Sequence, residues 1–314
     1  MTQSNPQVPW TSEQWDRVTQ VIQEEANRAR VAASFLPLYG PLPPDTDFVR
    51  ANTVGYGTPD AEDQHGGIGT LPRARITIDD TAVIQLATLQ VKVFLRGAQM
   101  ADPDMTSALQ VFRRAANILA RLEDAIVFNG QVGANEGPPF ETVQGLPGAQ
   151  LVRGSHSPAR CEPNQIWQVL GGQASGGLMG RNFRGGVRMT GDTLVSAVSS
   201  AIGDLEGSGQ FGPFAVLLDH EFFTAVQTPN DHSLVLPQDR IIPFLGGGQL
   251  LRSSTLPPDK GVLVALGGAP VELVVAADMS LQFIQLTNEP RYLFRVRERI
   301  ALRIKEADAI VTLF

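Results

Sequence analysis

The sequence predicts an α+β chain, and three segments of its 314 residues carry that expectation. A start signal at Asp102-Pro103-Asp104-Met105-Thr106 leads into Leu109, Phe112, Ala116, Leu119, Leu122 and Ile126 at helical spacing, and Asn129-Gly130 ends the run. That is one helix of about 24 residues, roughly 36 Å long. Near the other end, Phe294, Val296, Ile300, Leu302 and Ile304 alternate with Arg295, Arg297, Arg303 and Lys305, the two-residue period of a long half-buried strand. Between them, Arg73 to Ile78 and Val83 to Leu95 read as two extended runs forming a long arm. Such an arm cannot bury its own faces and is marginal in water without a partner surface.

The remaining elements follow in chain order. Residues 11 to 33 form an amphipathic helix capped by Thr11 or Ser12, with Glu13 and Asp16 in the first turn where they favour the helix dipole. Trp15, Val18, Ile22, Ala26 and Ala29 give it one narrow apolar face. The prolines at 37, 41, 43 and 44 then stop regular structure. Gly133 to Gly191 is loop-rich, and the glycines between 171 and 186 read as a flexible excursion. A helix over Thr193–Leu205, a buried strand over Phe214–Leu218 and a short helix over Glu221–Gln227 come next. Strands follow at Gly248–Arg252, Val262–Leu266 and Val271–Ala276, and Ile310 to Leu313 pairs nearby.

Composition narrows the function classes. Charged residues make up 18%, below the ~25% typical of soluble domains, so much of the surface is expected to be covered by other subunits. A formal net charge of −7 argues against a dedicated nucleic-acid binder, which needs a basic stripe to displace counterions. One cysteine, Cys161, excludes an intramolecular disulfide framework and fits a reducing compartment. The N-terminus has neither cationic start nor apolar core of a signal peptide, so a cytoplasmic chain that does not cross a membrane is expected.

The search for catalysis is empty. His65, His156, His220 and His232 have no spaced partner for a zinc site. The Gly176–Gly186 stretch lacks the ending of a phosphate loop. Glu123 and Asp124, beside apolar neighbours in mid-helix, fit an ion pair or hydrogen bond to another segment better than an acid–base pair. Neither an enzyme nor a cofactor or metal is expected.

Several collinear stretches carry a resemblance: Arg96-Gly97-Ala98, Asp102-Pro103-Asp104-Met105, Ala115-Ala116, Glu123 to Gly130, Gly212-Pro213-Phe214, Ala277 to Leu281, and Ala309-Ile310-Val311. With Thr11, Trp15 and Glu25-Ala26 of the first helix, they resemble the encapsulins, the linocin-type shell family related to tailed-phage major capsid proteins. The resemblance implies the Hong Kong 97-type phage capsid fold, with peripheral domain, extended arm and axial domain. It divides the chain into an N-terminal helix and arm (1–48), an extended loop (49–85), a peripheral domain (86–149 and 277–314) and an axial domain (150–276) with an insertion at 150–186. It implies a homo-oligomeric icosahedral shell of about 60 subunits or a larger multiple. Inside would sit a cargo protein with a docking peptide, a peroxidase or a ferritin-like protein. By the same resemblance, Trp15, Val18, Ile22 and Ala26 are candidates for cargo docking, and Asn230, Asp231 and His232 for the lining of a pore. The alternative is a tailed-phage or prophage capsid protein of the same fold, which would package DNA.

Overall fold

The computed structural model describes residues 8–57, 75–131, 166–180, 191–229 and 235–314. The chain opens with α1 (Ser12–Ala29), the short α2 (Ala32–Phe35) and a two-residue strand β1 (Leu38–Tyr39). Thr11 caps α1 as the sequence predicts, in a reciprocal box with Gln14. The arm follows as β2 (Phe48–Arg50), β3 (Thr53–Gly57), β4 (Arg75–Asp79) and β5 (Val83–Gln85), and the chain then enters β6 (Ala87–Arg96). One turn, α3 (Gly97–Met100), precedes the long helix α4 (Thr106–Asn129). The second half runs β7 (Trp167–Gly171), α5 (Gly191–Gly207), β8 (Phe214–Leu218), α6 (His220–Gln227), α7 (Pro237–Ile241), β9 (Leu250–Arg252) and β10 (Gly261–Ala265). It closes with β11 (Val271–Leu286), β12 (Arg291–Ile304) and β13 (Ile310–Leu313).

Two sheets organise the molecule. The larger has the order β1-β11-β12-β6-β7, with β1 parallel to β11 and the rest antiparallel. Helix α4 lies across it, and α1 packs on α4, giving a helix–helix–sheet stack. In the last two turns of α4 every residue from Leu122 to Phe128 is buried, as expected of a helix covered on several sides. The smaller sheet has the order β13-β10-β8-β9, with β8 and β10 buried along their whole length and α5 packed against β10 and β13.

Several expectations change. The arm pairs differently: β3 with β4 and β2 with β5, while the run from 83 to 95 divides at Leu86 and its second part joins the larger sheet. Strand β13 does not stay with β12 in the peripheral part but crosses to β10 in the smaller sheet. Residues 167–171, which the resemblance assigns to the insertion at 150–186, form the edge strand beside β6.

The glycine-rich stretch after β7 is a clip where it is described. Leu178 and Met179 donate their backbone N–H groups to the carbonyls of Val127 and Phe128, at 2.9 and 2.8 Å, and so satisfy two of the open acceptors at the end of α4. Gln131 and Ser175 exchange a second pair of backbone bonds. The backbones approach so closely that a Cβ on Gly176 would sit 2.7 Å from the Cα of Gly180. Close approach, not flexibility, explains these glycines.

Candidate functional site

Helix α1 and its attachments are the place to test the docking expectation. Trp15, Val18, Ile22 and Ala26 fall on one face at helical spacing, and that face points inward: all four are buried, Val18 completely. Their neighbours form an aromatic cluster. Trp10 stacks on Phe294 with ring centroids 5.0 Å apart and meets Trp15 edge-on at 5.2 Å. Phe112 from α4 and Phe283 from β11 close on Phe294 at 5.5 and 5.4 Å. The stripe therefore fixes α1 to α4 and the larger sheet, and the exposed side of the helix is polar, with Arg17, Gln20 and Glu24 facing solvent.

At the other end of α1 a charged cluster joins four elements. Arg30, just past the helix, reaches three carboxylates. Its Nη2 lies 2.5 Å from Glu298 Oε1 on β12 and 2.8 Å from Asp278 Oδ1 on β11. Its Nε lies 2.7 Å from Glu123 Oε2 on α4, close enough for an ion pair though poorly aligned for a hydrogen bond. A break in register between Ala277 and Ser280 releases Asp278 from the strand alternation. The next residue on α4, Asp124, accepts the backbone N–H groups of Val31 (3.0 Å) and Ala32 (2.7 Å). On α1 itself, Glu25 accepts hydrogen bonds from Arg28 and from Asn117 of α4.

Burial decides the electrostatics. Glu123 and Glu298 have almost no exposed surface. Desolvation, opposed by the charge of Arg30, pushes Glu123 up to about 7. Glu298 is held well above the carboxylate range by burial first and then by the charge of Glu123. Asp124 is raised by burial and by Glu123, with its two backbone donors pulling the other way. Three carboxylates and one guanidinium so placed make a structural tie. Among the described residues no group of histidine, cysteine and acidic side chains is arranged to hold a metal.

Sequence reasoning placed Glu123 and Asp124 in such a role but missed Arg30, Asp278 and Glu298. One signal was available: Glu298 occupies an inward position between Val296 and Ile300, where the alternation calls for an apolar residue. The pore candidates Asn230, Asp231 and His232, which follow α6, lie outside the described residues.

Comparison with known proteins places this architecture. The family model Linocin_M18, described as "Encapsulating protein for peroxidase", matches residues 1–137 and 149–301. The chain is 26% identical over 311 residues to the type 1 encapsulin shell protein EncA of Myxococcus xanthus, covering 97% of this chain and 93% of that protein. Among solved structures it resembles the virus-like particle from Pyrococcus furiosus, with a TM-score of 0.60 and 14% identity over 96% of this chain and 99% of that one. It also resembles the capsid of the Myoviridae phage XM1, with a TM-score of 0.55 and 11% identity over 88% of each chain. These likenesses are of fold, and the fold is the Hong Kong 97 type: long helix on a sheet, extended arm and second sheet.

Proposed function

The chain belongs to the encapsulin family of encapsulating proteins for peroxidase, and from that membership we propose that it is the self-assembling subunit of a closed icosahedral shell that houses a cargo enzyme. Its own role is structural, and the chemistry belongs to the enclosed protein. The observation that carries this reading is the family match along nearly the whole chain. The arm supports it. Ile76 and Ile78 are 74% and 63% exposed on a two-stranded ribbon that nothing in the same chain covers among the described residues. Such a ribbon gains stability when another subunit lies beneath it.

Size-exclusion chromatography and negative-stain microscopy of the purified chain test the reading. Closed particles are expected, and a monomer or small oligomer overturns it. Cargo of the peroxidase or ferritin-like class, carrying a docking peptide, is expected to co-purify when co-expressed. Nuclease-resistant DNA inside the particles would replace the enzyme compartment with a DNA-packaging capsid. No helix among the described residues is long and apolar enough to cross a membrane, which accords with a compartment in the cytoplasm.

Docking at α1 belongs to the same proposal in a form adjusted to the burial. Trp15, Val18, Ile22 and Ala26 act as the anchor that sets the helix, so Trp15→Asp would damage the fold before it tested docking. The polar flank at Arg17, Gln20 and Glu24 is what an incoming peptide meets. Alanine at Gln20 and Glu24 is expected to lower cargo retention while particles still assemble, and retention at the parent level refutes the role. Asn230, Asp231 and His232 stay assigned to the pore, to be tested by alanine substitution and the rate at which small solutes reach the cargo.

A further inference from the structure

The buried end of α1 holds more acid than one guanidinium can answer. Glu123 on α4, Glu298 on β12 and Asp278 on β11 all converge on Arg30, and Asp124 stands next to Glu123. The bonds made there leave oxygens over. Both oxygens of Glu123 and Oε2 of Glu298 are buried without a hydrogen-bond donor. An ionised carboxylate in that position is costly, because neither water nor a partner replaces its lost solvation. The two glutamate side chains are, however, within hydrogen-bonding reach of each other. Carboxylates only accept, so such a bond requires a proton on one of them. A proton carried by Glu298 and offered to Glu123 supplies the missing donor.

The charged groups around the pair are spent elsewhere or turned away. On α1, Arg28 pairs with Glu25. Helix α2 has no charged residue, and on β6 the position opposite Glu298 is Leu89. On α4, Arg121 stands against Asp124. Arg297 and Arg299, on either side of Glu298, fall by alternation on the other face of the sheet.

Packing decides what gives way when the proton leaves. Glu123 and Glu298 sit on the long helix and on a central strand. Residues 28–36 are a short connection, held by Arg30, by the two backbone bonds to Asp124 and by buried Ala32, Phe35 and Leu36. The sign follows from burial, which holds the folded carboxyls above their ordinary range: the closed form binds protons that the open form releases. The attachment is therefore strongest below the usual glutamate range and weakens as pH rises through about 7 for Glu123. Asp124, raised by burial and by Glu123, acts in the same direction.

We propose that a proton held between Glu123 and Glu298 fastens the end of α1 into the stack, and that its loss at rising pH frees residues 28–36 as a local unit, a pH-sensitive latch on the first helix. Its use rests on the shell reading: the latch sets the end of the helix whose polar flank is offered to cargo, so retention should weaken as pH rises.

Hydrogen–deuterium exchange of assembled particles, read by mass spectrometry from pH 5 to pH 8, tests the latch. After correction for intrinsic exchange, opening of residues 28–36 is expected to rise about tenfold per pH unit for each proton that opening releases, while β8 and β10 keep their protection. Loss of protection spread evenly over the chain, or no change in this segment, overturns the proposal. In Glu298→Gln an amide donates to Glu123 at every pH, so opening of the segment should become flat over the same series. The parent's pH dependence persisting in that variant refutes the shared proton. If the variant does not fold, infrared difference spectra of the unsubstituted chain decide. A protonated-carboxyl band must survive at pH 6, above the range of exposed carboxylates, and lose intensity by pH 8; no band, or a constant one, refutes the proposal. Cargo retention by the same particles at the two pH values separates the readings. If exchange follows pH and retention does not, docking at α1 fails and the latch stands. If the chain forms no particles, the shell reading fails and the exchange series on the free chain still decides the latch.

Discussion

Removing Arg30 isolates the buried tie, and Arg30→Met does so while keeping much of the side-chain volume. In the parent, Glu123 and Glu298 share one guanidinium inside the stack. Without it, two carboxylates that have almost no solvent contact lose their counter-charge, a change that costs about 3–5 kcal/mol where both are ionised. The cost depends on pH, and its sign follows from burial. A carboxyl whose folded value is raised contributes full stability below its ordinary range and loses it as pH rises through the folded value. For Glu123 that window runs from 4.5 to about 7, and about 1.4 kcal/mol per pH unit makes the loss about 3 kcal/mol for that group. The guanidinium limits this loss, so Arg30→Met should steepen it. At pH 5, with both glutamates protonated, the variant should be only about 1 kcal/mol less stable than the parent. At pH 8 the difference should reach about 3–5 kcal/mol, or roughly 10 °C in melting temperature. Scanning fluorimetry of both proteins at the two pH values, at equal subunit concentration, measures it. A pH-independent difference, or one that shrinks as pH rises, refutes the reasoning.

Other substitutions probe the same stack. Glu298→Gln keeps the shape and removes a carboxylate that burial holds well above its usual range, so the decline in stability between pH 5 and 8 should flatten. An unchanged slope in the same melting series counts against it. Phe294→Ala opens a cavity where Trp10, Phe112 and Phe283 converge and should cost about 3–5 kcal/mol in denaturant unfolding, with a red-shifted tryptophan emission. Asp124→Ala strands the N–H groups of Val31 and Ala32 and should cost about 2 kcal/mol, measured the same way.

The parts of this fold governed by local pattern were legible. Helix α4 carries its start at Asp102, whose side chain accepts from the backbone of Asp104 and Thr106, and its stop at Gly130, and the residues between repeat at one period. Strands β8 and β12 were equally plain, one as a short apolar run and the other as an alternation. What failed depends on partners far along the chain. The run from Val83 to Leu95 reads as one strand, although its apolar alternation slips phase between Leu86 and Ala87, and there its pairing passes from β2 to β12. Strand β13 follows β12 closely, yet its hydrogen bonds go to β10. Around Gly176 the sequence shows glycines, and whether they loosen a loop or permit two backbones to touch depends on what lies opposite. The site divides in the same way. The stripe of α1 was visible, but periodicity gives a face and not a direction. It faces α4 and the larger sheet because Phe112 and Phe294 stand there, which no local pattern reports.

The two ends of α1 are held by different physics, and this makes their release separable. Near its start, Trp10 and Trp15 are held by apolar burial and ring packing on Phe294, which ionisation does not touch. At its end, Arg30 and the backbone of Val31 and Ala32 are held by Glu123, Asp124 and Glu298, all of which gain charge as pH rises. In Arg30→Met at pH 8 the segment from Arg28 to Leu36 should therefore open before the aromatic cluster does, a local event well below the free energy of global unfolding. Chymotrypsin should cut at Phe35, buried in the parent, at a rate that rises with pH while tryptophan emission stays unchanged. A shift in emission that keeps pace with cleavage would mean that α1 leaves as one unit. The tie would then be one more core contact and not a separate latch on the end of the helix.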